Sequence, residues 1–105
     1  MRSPLDRPVP PPTAVIAFND RTATGVLDVL ARQGRDAPGE ISVVGYDDSR
    51  PAKIPHVQMT TVSQDAPLTA DAAVAAALDL TNGGTARETV LTPRPVERST
   101  TGPAA

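Results

Sequence analysis

Thr13-Ala-Val-Ile-Ala-Phe18 is a continuous apolar run bounded by Pro12 and Asn19. It predicts a strand buried on both faces, as in a parallel sheet. The period then changes. Asn19-Asp20 supplies helix-start residues, and Ala23, Val26, Leu27, Leu30 and Ala31 follow at helical spacing up to Gly34, a left-handed stop. Ile41-Ser-Val-Val-Gly-Tyr46 restores the strand pattern. Strand, helix and strand over this length predict a right-handed βαβ unit. Residues 47–58 carry Pro51 and Pro55 and are expected to be irregular. Met59 to Ser63 reads as a third strand. Asp65 and Pro67 open a second, alanine-rich helix that stops at Asn82-Gly83-Gly84, with high propensity but a thin apolar grip. Thr89 to Leu91 and Val96 to Ser99 read as short β segments split by Pro93-Arg-Pro95. The expected class is α/β, with a partial doubly wound parallel sheet. Residues 1–12 carry five prolines and read as a disordered leader, 13–101 as the domain, and 102–105 as a disordered tail, with fraying from Thr100 onward.

Composition narrows the function. The 105 residues include one Phe, one Tyr and no Trp, so there is no aromatic platform for single-stranded nucleic acid. The formal net charge is −2, which gives no basic footprint for a phosphate backbone. Without cysteine there is neither a disulfide framework nor a thiolate metal site. The single histidine, His56, leaves little scope for a zinc site or a Ser-His-Asp triad and reads as a surface residue. No apolar run is long enough to span a bilayer and no signal-peptide core is present, so a cytoplasmic chain with no membrane partner is expected. No cofactor is expected, and an enzyme is the least favoured class.

Candidate chemistry collects at strand ends, where open α/β sheets bind ligands. The first strand ends at Asn19-Asp20 and the second at Asp47-Asp48. An amide and a carboxylate on one rim can bracket a polyhydroxylated ligand. Equally, Asn19 and Asp20 serve a helix cap and Asp47-Asp48 a turn. A phospho-acceptor or metal-binding role for Asp47 lacks further acids and has only Lys53 at hand. A glycosidase pair fails because consecutive carboxylates point apart. Gln64 closes the third strand and can face the same rim or plain solvent. Arg21, a cation in the first turn of a helix, opposes the dipole.

Four separated motifs, in order, carry a resemblance: PTAV with ND at 19–20, EISVVGYDD at 40–48, TTVSQ at 60–64 and RPVERST at 94–100. Together they resemble the C-terminal part of LacI/GalR (lactose-repressor-type) transcriptional regulators, over about Pro12 to Thr101. The resemblance implies one lobe of a two-lobed effector-binding core similar to sugar-binding proteins. It implies a small-molecule effector, expected to be a carbohydrate, contacted by Asn19, Asp47 and Gln64, with Asp48 mostly structural. It also implies a homodimer through the helix at 22–32 and the segment at 49–57, with Ala23, Val26, Leu27, Leu30 and Ile54 as contacts.

That family opens with a helix-turn-helix, and none precedes residue 13 here; operator DNA is therefore an expected partner only if one lies upstream. The family's chain crosses between lobes near TTVSQ and again near Leu91-Thr-Pro93, so the helix at 65–82 is expected to belong to the other lobe. A sugar-binding module without DNA binding, or a remnant that at most pairs with an intact relative, are the competing readings.

Overall fold

Val15 is half-buried, Ile16 is 79% exposed, Ala17 is buried and Phe18 is 86% exposed. This alternation belongs to β1, Ala14–Ile16, and its extension. The computed structural model, which describes residues 10–104, thus replaces the expected two-sided burial with one covered face. Nothing among the described residues covers Ile16 and Phe18. Residues 1–9 and Ala105, which hold most of the expected leader and the end of the tail, lie outside the described residues.

The covered face receives α1, Asp20–Arg32. Asn19 is its N-cap, its Oδ1 accepting from the Thr22 N–H at 2.8 Å. Gln33 caps the other end and Gly34 takes the left-handed conformation, φ 69°. Ala23 and Leu30 are buried, with Val26 and Leu27 packed partly against the same core. The chain returns as β2, Ser42–Val44, parallel to β1 with Val15 opposite Val43. The βαβ unit read from the sequence is therefore present.

Residues 50–53 form a single helical turn, α2 (Arg50–Lys53), where irregular chain is expected. Pro51 sits in the first turn, where its missing N–H costs nothing, and Ala52 is fully buried. Four residues are too few to show a period. β3, Thr61–Ser63, continues the sheet: Val44 and Thr60 form a parallel bridge, and the Gly45 N–H donates to Thr60 O at 2.9 Å. The chain is α/β with parallel strands, one part of a doubly wound arrangement.

Two departures lie at the C-terminal end. Thr89 to Leu91 forms no strand, and Val90 is exposed. β4 is Arg94–Val96, antiparallel to β3 and running through Pro95 opposite Val62. Proline is tolerated there because β4 is an edge strand. Thr100 is buried, not frayed. Its carbonyl accepts from the Val43 N–H at 2.8 Å, and its hydroxyl donates to Val43 O at 2.6 Å and accepts from the Thr60 N–H at 2.9 Å. Gly102 is tied to Ser42 Oγ at 3.1 Å.

α3, Ala66–Thr81, is capped by Asp65 and has no buried residue. It projects from the rest, and the molecule measures 62 × 38 × 21 Å with a radius of gyration of 19.0 Å. A compact chain of this length has a radius of about 13 Å.

Candidate functional site

The site is built where β1 and β2 end. The Asp20 N–H donates to Tyr46 O at 3.0 Å, so the first turn of α1 and the chain after β2 lie side by side. Asn19 and Asp47 consequently line one groove of about 320 Å³, with Ser49, Arg21 and Arg50. The Oδ1 of Asn19 is committed to the cap, which leaves the Nδ2 hydrogens for a ligand. Both readings of Asn19 from the sequence are thus compatible on one side chain.

Asp47 is exposed and has φ 106°; Asp48 follows at φ 53°. Two consecutive non-glycine residues in this region are uncommon and cost energy. Hydrogen bonds on both sides hold the turn. The Asp47 N–H donates to Val62 O at 2.9 Å, and its Oδ1 accepts from Gln64 Nε2 at 3.0 Å. Asp47, Ser49 and Gln64 share a second groove of about 560 Å³, also lined by Thr69, Ala70 and Ala73 of α3. The carboxylate of Asp47 therefore stands between two open grooves, with an amide from Asn19 on one side and from Gln64 on the other. The arrangement can accept from and donate to vicinal hydroxyls; it holds no nucleophile–base pair.

Three supporting side chains were not singled out from the sequence. Asp20 is 1% exposed; its Oδ2 accepts from the Ser49 N–H at 2.6 Å and Ser49 Oγ at 2.8 Å, and its Oδ1 from Thr61 Oγ1 at 2.6 Å. Arg98 pairs with Asp48 Oδ1 at 2.7 Å and donates from Nη1 to Met59 O at 3.0 Å. Ser49 also caps α2. The resemblance implied a structural role for Asp48 alone, and the structure supplies its partner, Arg98. The partners of the three supporting side chains lie 29 to 50 residues away in sequence, beyond the reach of local pattern.

Of the residues expected at a dimer contact, Ala23 and Leu30 are buried in this chain's own core, Val26 and Leu27 are half-buried, and Ile54 is exposed. A shallow apolar groove of about 480 Å³ on α1 is lined by Thr22, Gly25, Val26, Val29 and Leu30. His56 is exposed on the loop after α2, and among the described residues no cluster of His, Cys, Asp and Glu could hold a metal ion. No helix among them is long and apolar enough to cross a membrane.

A polar rim across the carboxyl ends of parallel strands defines an α/β binding domain. The chain belongs to the periplasmic binding protein-like domain family, whose model matches residues 2–101. Within it, the chain matches regulators of the LacI/GalR type. It is 34% identical to the lactose operon repressor of Escherichia coli K12 over 91 residues, 86% of this chain and 25% of the repressor. A LacI transcriptional regulator from a Rhodococcus species superposes with a TM-score of 0.88 at 64% identity, over 95% of this chain and 37% of that one. The lac repressor dimer bound to operator and the anti-inducer ONPF superposes with a TM-score of 0.74 at 33% identity, over 86% of this chain and 32% of that one. The match thus spans about a quarter of the curated repressor's length and little more than a third of the Rhodococcus chain. The relatives named are regulators of transcription, not enzymes.

Proposed function

We propose that residues 13–101 are the C-terminal effector-binding and dimerisation segment of a cytoplasmic LacI/GalR-type repressor that senses a small carbohydrate. The observation that carries this reading is Asp47: an exposed carboxylate in a left-handed turn at a strand end, bonded by Gln64 and sharing a groove with Asn19. Asp47 accepts from ligand hydroxyls, Asn19 donates through Nδ2, and Gln64 holds Asp47 and adds its own amide. The names of the relatives support a sugar-linked regulator, and the relative solved as an operator-bound dimer supports a dimer. Dimer contact falls to the groove lined by Val26, Val29 and Leu30, with Leu27 and Ile54, while Ala23 is fully buried in this chain's own core. Operator binding belongs to a protein in which a DNA-reading segment joins these residues.

The test is a titration of the 15N-labelled chain with lactose, arabinose and other simple sugars. One rim supplies half of a cleft, so dissociation constants of about 1 mM or weaker are expected. Amide shifts should centre on Asn19, Asp47 and Gln64 and vanish in Asp47→Ala. Shifts scattered away from these residues, or persisting unchanged in Asp47→Ala, refute the assignment.

A further inference from the structure

Asp20 lies beside the rim yet is shielded from solvent, and it ties together the two segments that carry Asp47 and Gln64. Its carboxylate accepts from the backbone and side chain of Ser49, two residues after Asp47, and from Thr61, three residues before Gln64. Position 45 is glycine, and a Cβ there would collide with Asp20 Oδ1 and Met59 Sδ, so the strand end is shaped around this carboxylate. A first-turn acid is favoured by the helix dipole, but that needs no burial and no bond to another element. A cap is not required either, since Asn19 already provides it.

We propose that Asp20 is a positioning residue for the effector rim: through Ser49 and Thr61 it holds the Asp47 turn and the β3 end in the register that lets Gln64 meet Asp47. This rests on the reading of Asp47 as an effector contact. Asp20→Asn keeps the shape but removes the charge: with its amide oxygen toward Ser49, its NH2 faces Thr61 Oγ1, which must turn from donor to acceptor beside the bond it already takes from the Asp48 N–H, and the charge-assisted bonds give way to weaker neutral ones. The turn then loses a restraint against its unfavourable left-handed backbone.

Asp20→Asn and Ser49→Ala are compared with the wild-type chain by NMR, without ligand and then with lactose. The ligand-free readouts are the Asp47 amide–Hα coupling, which reports φ, and the side-chain amide protons of Gln64. Both should move toward values for an extended Asp47 and a free glutamine amide while the helical circular dichroism persists. Lactose affinity should fall about tenfold in Asp20→Asn. Wild-type coupling and Gln64 signals in both variants would overturn the proposal, even if stability drops. If Asp20→Asn fails to fold, Ser49→Ala carries the test, since it removes only one of the three bonds. If the wild-type chain ignores lactose but the ligand-free signals shift, positioning stands and the effector reading fails for that sugar.

Discussion

Glycine at position 45 is a steric requirement. Its φ is ordinary, so conformational freedom is not the reason; a Cβ at this position would sit against Asp20 and Met59, both buried. Gly45→Ala is expected to cost about 1–3 kcal/mol through overpacking, read as a lower denaturation midpoint. The nearby Asp48–Arg98 pair gives a second test. Both side chains are mostly buried, and Arg98 also donates to Met59 O. Asp48→Asn should destabilise by about 2–3 kcal/mol, somewhat less than a fully buried pair, and a double-mutant cycle with Arg98→Met should recover a coupling above 0.5 kcal/mol. Additive effects would show that the pair contributes nothing of its own. Local pattern placed Asn19, Asp47 and Gln64 at strand ends but left cap, turn and surface roles open, and only the resemblance made them effector candidates. The roles of Asp20 and Arg98 were not legible, because what makes them matter is a partner brought close only by the parallel crossover and by the returning C-terminal segment.

The elements differ in how much tertiary support they have. α1 presents a stripe to the sheet and has caps at both ends, and its extent was legible from that periodicity. α3 was legible for another reason: alanine propensity, the Asp65 cap and the Gly83 stop act locally and need no packing. Its lack of any buried residue predicts a sharp contrast between two helices of similar length. Amide exchange should be protected in α1 around Ala23 to Leu30 and near the unprotected limit in α3, because helical stability in proteins comes mainly from packing. Equal protection in both helices would mean that α3 is covered in solution. β4 was misplaced by the sequence reading because Pro93-Arg-Pro95 looks like a break; only the pairing with β3 shows that an edge strand accommodates it. Thr89 to Leu91 has strand-forming residues but no partner among the described residues, and propensity alone does not make a strand.

At the scale of the molecule, burial is thin. Among the described residues, three of the seven buried apolar residues are alanine, and only Met59 and Val43 are large apolar side chains with under 2% exposure. Natural domains of about 100 residues retain 5–15 kcal/mol, and this core is too small to approach the upper end. Meanwhile β1 is paired on one side only, and Ile16 and Phe18 project from its uncovered face. An open edge beside exposed large apolar side chains invites association. The 105-residue chain should therefore gain stability from contact with another surface, and its behaviour should depend on concentration. Sedimentation velocity should show a mass rising above 10.9 kDa as concentration increases, and the thermal transition should sharpen and move upward in parallel. Ile16→Thr with Phe18→Ser should suppress the mass increase while leaving α1 helical. A chain that stays monomeric at all concentrations and melts in one sharp step would show that this small core is sufficient, and the uncovered face of β1 would then be an exposed surface without energetic consequence.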